Sequence, residues 1–147
     1  MAERTERDAL HHLIDICMDG ERGFRAAADA VSNPTLKVLF DDLAEQRGRF
    51  AAALLPHLRR LGGTTDWDGT SAGALHRSWI NLRAHVPGHD DHAIVTEAAR
   101  GEHAAIDAYD DALHGMLPPT VTPLIEAQHE AMQAAVDRIR ALDMGYS

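Results

Sequence analysis

The sequence predicts an all-α protein, a four-helix bundle of two helical hairpins joined by a long crossover that contains a short fifth helix. Three observations lead to this fold class. Four long segments carry apolar residues at spacings of three and four, and the alternating pattern of strands is nearly absent. One constant offset of 81 residues relates the first two segments to the last two. Short breaks within each pair of segments indicate hairpins.

The first hairpin is predicted from its apolar stripes and from the residues that begin and end its helices. Its first helix runs over about 5–32, where Pro34 stops it and suits the first turn of the next helix. Asn33 or Ser32 is the predicted N-cap, and Gly62–Gly63 ends the second helix. The two stripes comprise Leu10, Ile14, Cys17, Phe24, Ala28 and Val31, then Leu36, Leu39, Leu43, Phe50, Leu54, Leu58 and Leu61.

The second hairpin is predicted from the same kinds of signal. Its first helix begins at an N-cap, Asp90 or Asp91, and is broken by Gly115 and by Pro118–Pro119. Its second helix is predicted over about 120–143. The two stripes comprise Ile94, Ala98, Ala105, Tyr109, Ala112 and Met116, then Val121, Leu124, Ala131, Ala135, Ile139 and Leu142.

The stretch 62–90 between the hairpins is too long for a tight turn, so we expect a crossover. Within it, Ser71 is the predicted cap of a short fifth helix that packs on the bundle. With such a crossover, the second and third helices need not be antiparallel. The amphipathic face of the short helix comprises Ala72, Leu75, Trp79, Leu82 and Val86.

Composition limits the class of protein. A chain of 147 residues, 1–147, has the size of one domain. The single cysteine, Cys17, excludes an intrachain disulfide, and no segment has the character of a signal peptide or a membrane span. We therefore expect a cytoplasmic protein. A net charge of −9 with only one lysine argues against nucleic acid as a partner.

Two glutamates stand where the helical pattern favours apolar residues. Glu21 in "DGERGF" and Glu102 in "RGEHAA" each follow a glycine and are 81 residues apart. On a helical wheel with about 100° per residue, both fall on the apolar stripe of their helix. Arg47 and Gln128, also 81 residues apart, fall on the stripes of the second and fourth helices. The predicted core therefore holds one polar residue per helix.

A structural network explains all four of these residues. In this hypothesis Arg47 neutralises one or both carboxylates, and Gln128 completes the hydrogen bonds. Buried charges are costly unless they are paired and hydrogen-bonded, and such pairs can fix the register of helices. The network hypothesis predicts that the protein has no cofactor.

The competing hypothesis is a metal site in which Glu21 and Glu102 bind iron or manganese. Ferritin-like di-metal sites take a glutamate from each of two helices and a Glu-x-x-His motif from each of the other two. The corresponding segments here read "RGRF" and "QHEA", and Glu45 and Glu130 fall on the solvent face. A guanidinium cannot bind a metal, so the metal hypothesis explains only two of the four core residues.

Several other side chains are candidate metal ligands. The metal hypothesis needs further ligands, such as Glu97 or His103 after a register shift in the third helix. Three histidines in "AHVPGHDDHAI" have a spacing that zinc sites can use. We interpret His85, His89 and His92 as solvated or capping residues, because no second cluster of ligands accompanies them.

Six motifs run along nearly the whole chain: "DGERGF", "LAEQRGRF", "GALHRSWINL", "DDHAI", "RGEHAA" and "VDRIRAL". Together they resemble an uncharacterised bacterial four-helix-bundle family of the ferritin-like superfamily, a domain of unknown function that is associated with stress responses. The resemblance implies the fold and carries no agreed activity. Members of that family often have a histidine before the "DRI" segment, where this chain has valine at Val136.

The function expected from these observations is that of a non-catalytic structural or interaction module, and the resemblance adds a link to stress. Because ferritin-like bundles commonly pair along helix faces, we expect a homo-oligomer, with neither nucleic acid nor membrane as a partner. The alternative is a di-metal carboxylate oxidase or iron-handling protein that uses Glu21 and Glu102. A DNA-protecting mini-ferritin is disfavoured by the acidic charge and by the lack of a basic tail.

Overall fold

The computed structural model describes residues 2–63 and 90–144, and these residues contain four α-helices and no β-strand. The all-α, four-helix prediction is confirmed for this part of the chain. None of the described helices is long and apolar enough to cross a membrane. The helices are α1 (Ala2–Ala30), α2 (Pro34–Arg60), α3 (Asp91–Leu113) and α4 (Thr122–Met144).

Side-chain caps begin α2 and α3, as predicted. The Asn33 carboxamide oxygen accepts hydrogen bonds from the backbone N–H groups of Thr35 and Leu36, at 2.8 and 3.1 Å. Pro34 occupies the first turn of α2, where no intrahelical partner is available for an N–H. At the start of α3, Asp90 accepts from the backbone N–H three residues further on. Asn33 and Asp90 are therefore the caps among the two pairs of candidates.

Two glycines end α2, also as predicted. Gly62 has a φ of +79°, which a residue with a Cβ adopts only with strain. Its N–H donates to the Arg59 carbonyl, and the Gly63 N–H donates to the Leu58 carbonyl, so the last carbonyls of the helix are satisfied. A Cβ at Gly63 would lie only 2.4 Å from the Leu58 side chain. Both positions therefore require glycine.

The start of α3 is tied to the turn between α1 and α2. The Asp91 carboxylate accepts hydrogen bonds from the backbone N–H groups of Ser32 and Asn33, at 2.8 and 2.9 Å. Further along the bundle, Cys17 of α1 contacts Tyr109 of α3. The residue numbers rise in α1 as they fall in α3, so these two helices are antiparallel, and α2 and α3 run parallel.

The second hairpin is closed by contacts between α3 and α4. The His92 imidazole lies 3.0 Å from the Asp143 carboxylate, which places the start of α3 beside the end of α4. Because α2 and α3 are parallel, Gly63 and Asp90 lie at opposite ends of the four-helix array. The predicted crossover and its short fifth helix fall in 64–89, outside the described residues.

The four helices form a square in which α1 contacts α2 and α3, while α4 contacts the same two helices. The pairs α1–α4 and α2–α3 therefore face each other across the diagonals. The buried apolar side chains form two clusters, one toward the α1–α2 turn and one toward the opposite end. Arg47 and Glu102 lie in sequence between residues of the two clusters on their helices, so a polar layer divides the core.

The predicted stripe residues of α1 are all buried, but the other three stripes need correction. Phe50 and Leu61 of the second stripe are only partly buried. On α4, Leu124 and Ala131 are only partly buried, because the buried face follows an alternating spacing of four and three residues instead. Met116 was predicted on the core face of the third helix and is exposed, because α3 ends at Leu113. The buried face of α4 comprises Val121, Ile125, Gln128, Met132, Ala135, Val136 and Ile139.

Candidate functional site

A buried ion pair lies at the centre of the bundle. Arg47 projects from α2 and Glu102 from α3, and each residue is only 1% exposed. Arg47 Nη1 donates to Glu102 Oε1 at 2.5 Å, and Nη2 donates to Oε2. This bidentate geometry, two parallel N–H···O bonds between ions, is the strongest kind of side-chain pairing. The pair joins two helices that do not pack against each other.

Arg47 is held by more than its carboxylate partner. Its guanidinium carbon lies 5.2 Å from the centre of the Phe24 ring and 5.7 Å from that of Phe50, within cation–π range. Nε and Nη2 also donate to the Gln46 carboxamide oxygen. Burial alone would lower the pKa of Arg47, but the adjacent Glu102 carboxylate outweighs it and raises this pKa above its usual value. The guanidinium is therefore a permanent buried cation.

A chain of neutral hydrogen bonds lies beside the ion pair. The Tyr109 hydroxyl donates to Gln128 Oε1 at 2.7 Å, and Gln128 Nε2 donates to the Phe50 carbonyl at 3.3 Å. Cys17 Sγ lies 3.0 Å from the same tyrosine oxygen. Since the tyrosine proton is directed to Gln128, the thiol is the donor in this contact. This chain of hydrogen bonds links α1, α3, α4 and α2 in turn.

The surroundings of Cys17 and Tyr109 keep both side chains uncharged. Burial raises the pKa of Cys17 to about 12, although the bond to Tyr109 and the nearby Arg47 charge oppose the shift. Burial, followed by the nearby Cys17, also raises the pKa of Tyr109 well above its usual value. A thiol must ionise to act as a nucleophile. Cys17 is therefore a buried hydrogen-bond donor, in line with its predicted place on the core stripe.

The structure brings only part of the predicted quartet together. Arg47 and Glu102 form the pair that the network hypothesis requires. Gln128 is buried, but it bonds to Tyr109 and to a backbone carbonyl instead of completing the ion pair. The side chain of Glu21 is 23% exposed, and its described partner is Arg25, one turn along the same helix at 3.4 Å. Glu21 therefore lies at the edge of the core.

The displacement of Glu21 has a local cause. Gly20 and Gly23 belong to the buried face of α1, but they have no side chain that marks it on a wheel. A Cβ at Gly20 would lie 3.3 Å from Arg47 Cγ, so this glycine lets α1 approach the arginine stem. Leu13, Ile16 and Ala27 are also buried, although they do not belong to the predicted stripe. The centre of the buried face therefore lies away from Glu21, whose carboxylate lies instead close to Gly48 on α2.

Other predicted metal ligands also have structural partners. Glu97 accepts from Arg100 on the exposed face of α3, and His103 is exposed and bonded to Arg140 on α4. The hydrogen bond that the His92 imidazole donates to the Asp143 carboxylate raises the pKa of His92. His85 and His89 lie outside the described residues. Among the residues that the structure describes, no group of three or more histidine, cysteine or carboxylate side chains is arranged to hold a metal ion.

Sequence reasoning missed one buried charged residue. Asp19 is 2% exposed, and its Oδ1 has no hydrogen-bond partner among the described residues. Burial, with a smaller contribution from the Asp15 carboxylate, raises the pKa of Asp19 to about 7, while Arg22 acts in the opposite direction. The residue lies on the opposite side of α1 from Leu10, where the wheel predicts solvent. Apolar periodicity therefore contains no signal that could have identified it.

A protein-family model matches most of the chain. Residues 5–115 match the model of DUF2383, a domain of unknown function. The matched range covers α1, α2 and α3, with both members of the buried ion pair, and ends before α4. No curated protein matches the chain. Because the match covers more than half of its length, the chain belongs to the DUF2383 family.

Proposed function

We propose that this protein is a non-catalytic structural or interaction module with a ferritin-like four-helix bundle. In this proposal the polar core holds the helices in register and carries out no reaction. The observation that supports it most directly is the bidentate pair of Arg47 and Glu102, in which both carboxylate oxygens are engaged by a guanidinium.

The charge of Arg47 opposes a metal at this place. A guanidinium is a permanent cation without a free lone pair, so it cannot be a ligand. A divalent ion bound by Glu102 would have to displace Arg47 or lie beside its positive charge, in a core of low polarity where repulsion is strong. Arg47 thus supplies the positive charge that a metal would otherwise bring to the carboxylate.

The arrangement of the polar groups favours a role in helix register. The neutral chain passes from Cys17 through Tyr109 and Gln128 to the Phe50 carbonyl, so it connects neighbouring helices around the square. The ion pair connects α2 to α3 across the diagonal of the square. A slip of any helix by one turn would break at least one of these bonds and leave a buried polar group unsatisfied, which is costly.

The ferritin-like assignment is supported by topology. Two antiparallel hairpins with parallel α2 and α3 have the helix directions of ferritin-like folds, in which one long crossover joins the second helix to the third. The proposed cytoplasmic location, stress association and homo-oligomeric state rest on composition and on the resemblance of the motifs.

Metal analysis tests the proposal against the alternative of a di-metal oxidase or iron-handling protein. Tag-free protein is produced with added iron and manganese, and its metal content is determined by elemental analysis. Arg47→Ala is measured beside it, and Arg49→Ala is the matched control, because Arg49 is exposed on the same helix. We expect wild type and control to lack stoichiometric metal and Arg47→Ala to be markedly less stable.

Two other outcomes have clear meanings. Roughly two ions per wild-type chain, the stoichiometry of a di-metal carboxylate site, would overturn the proposal and make an oxidase assay with ferrous iron the next step. Metal in Arg47→Ala alone would show that Arg47 replaces a metal ion in this core, and the wild-type protein would keep its structural role.

A further inference from the structure

An open groove lies between the beginning of α2 and the end of α4. Its volume is about 650 Å³. Pro34, Val38 and Leu39 of α2 form one wall, and Ala141 and Leu142 of α4 line the other. The lining is therefore largely apolar.

Val38 makes this groove unusual on the described surface. It is 60% exposed, and among the described residues only Val38 and Met116 are large hydrophobic side chains with such exposure. Pro34, Val38 and Asp42 follow one another at intervals of four, so they share one face of α2. A single exposed valine is ordinary on a protein surface, but one at the rim of an apolar groove is typical of a contact site.

Two opposite charges lie on the two walls. Asp42 projects from α2 and Arg138 from α4, and both line the groove. Both are exposed, and neither forms an ion pair with the other or with another described residue. The groove thus offers one acid and one base, each with room for a partner of opposite sign.

We infer that this groove is a self-association surface that a second copy of the chain covers. In a two-fold dimer the same patch is used by both subunits, so each contact occurs twice. Asp42 of each chain then pairs with Arg138 of the other, and the Val38 side chains enter the apolar part of the opposite groove. An acid and a base in the same groove are complementary to a second copy of themselves.

The inference deepens the homo-oligomer of the proposed function by assigning its surface, and it does not depend on the polar core. The apolar contact provides the driving force, while the charged pairs set the orientation of the subunits. Because exposed pairs are screened by ions, added salt should weaken the charged part of the contact.

Sedimentation velocity of the full chain over a hundredfold range of concentration is the first test. We expect a concentration-dependent species of twice the 16.0 kDa chain mass. Val38→Asp should raise the dimer dissociation constant at least about tenfold, as for an apolar residue at the centre of an interface. Met116→Asp is the matched control, because Met116 is also apolar, similarly exposed and outside the groove, and it should leave the constant unchanged.

A charge-exchange experiment tests the two-fold geometry itself. Asp42→Arg alone places arginine against arginine at both pairs, and Arg138→Asp alone places aspartate against aspartate. Each variant should therefore be monomeric. An equimolar mixture of the two should form a heterodimer, because both pairs are then of opposite sign. Asp41→Arg, at an exposed neighbour that does not line the groove, should associate like the wild type.

The inference would be overturned by a wild type that stays monomeric at all concentrations, or by a dimer that is insensitive to Val38→Asp and to both charge reversals. It would also be overturned if the mixture failed to associate, or if native mass spectrometry found an apolar small molecule on a monomeric wild type. Far-UV circular dichroism confirms that each variant is folded. A monomer without metal would overturn this surface alone, whereas metal in the wild type would overturn the structural core alone.

Discussion

At the scale of single residues, removal of one charge of the buried ion pair should affect stability differently from removal of both. Removal of Arg47 leaves Glu102 buried without its cation, and removal of Glu102 leaves the guanidinium between two aromatic rings without its anion. Replacement of both by apolar residues of similar volume leaves no buried charge. The cost of a broken buried pair therefore lies mainly in the partner that remains.

We expect Arg47→Met to lower the free energy of unfolding by roughly 3–5 kcal/mol, the usual cost of breaking a buried pair. Arg47→Met/Glu102→Leu should recover a large part of that loss, because the apolar side chains pack between Phe24 and Phe50. Denaturant unfolding of the wild type, both single variants and the double variant gives the coupling energy. Arg49→Met is the control and should change little. A double variant less stable than either single one would contradict this account.

Asp19 gives the folded protein a pH dependence of defined sign. Its pKa is raised to about 7 in the folded state from an ordinary value of 3.8, so the folded state binds more protons between these values. The free energy of unfolding therefore falls as the pH rises between these two pKa values, and the whole of this loss is present above pH 7. One pKa unit corresponds to about 1.4 kcal/mol, so a rise of about three units sets an upper limit of roughly 4 kcal/mol on this loss of stability, and screening by solvent makes the expected loss smaller.

Asp19→Asn removes this titration. The variant should be more stable than the wild type at pH 8 and close to it at pH 4, when the free energies of unfolding are compared in urea. Asp41→Asn is the control, because Asp41 is exposed, and its difference from the wild type should not change with pH in this way. Equal pH profiles for wild type and Asp19→Asn would show that the carboxylate is solvated in the folded state.

At the scale of helices, local signals predicted more than periodicity did. Asn33, Asp90 and Gly62 mark helix ends through hydrogen bonds and backbone angles that depend on a few neighbouring residues, so they could be identified from the sequence. The direction in which each helix faces depends on all residues that pack, including those without side chains. Leu13, Ile16 and Ala27 are buried but do not belong to the predicted stripe of α1, so the actual buried face lies away from Glu21.

The candidate site was predictable in part for the same reason. Arg47 and Glu102 are large polar residues at the centre of an apolar stripe, and the need to neutralise buried charge predicts their pairing. The bond from Gln128 to Tyr109 depends on the relative height and rotation of α3 and α4, which the sequence does not give. Asp19 lies on a face that the apolar pattern assigns to solvent, and only the packed structure reveals its burial.

Two helix glycines should respond differently to alanine. Alanine favours a helix over glycine by about 1 kcal/mol. A Cβ at Gly48 would lie 2.8 Å from Glu21 Oε2, the far end of a partly exposed side chain that can move. A Cβ at Gly20 would press on the buried stem of Arg47, which is fixed by its partners. We expect Gly48→Ala to be neutral or stabilising and Gly20→Ala to be destabilising.

Thermal unfolding of the two glycine variants under identical conditions gives the comparison. Each serves as the control for the other, because both glycines lie within long helices at the α1–α2 contact. If Gly20→Ala proved the more stable of the two, the close approach of α1 to the Arg47 stem would not be a constraint on the packing of the helices.

At the scale of the whole molecule, the two hairpins are held together by a small set of polar links across a largely apolar core. The Asp91 carboxylate binds two backbone N–H groups of the turn in the first hairpin, at the end of the bundle away from Gly63. The ion pair and the chain through Gln128 add links in the middle. Local opening of one end therefore need not unfold the other.

We expect Asp91→Ala to loosen the end of the bundle at which both hairpins meet. The amides of Ser32 and Asn33 lose their acceptor, so their hydrogen exchange should become faster, while amides beside the Arg47–Glu102 pair keep the exchange rate set by global unfolding. Asp90→Ala is the matched control, because the Asp90 carboxylate accepts from the Ala93 N–H, whereas the Ser32 and Asn33 N–H groups donate to Asp91. It should leave these two amides protected. Uniformly faster exchange through all four helices in Asp91→Ala would instead mean that this link stabilises the molecule as one cooperative unit.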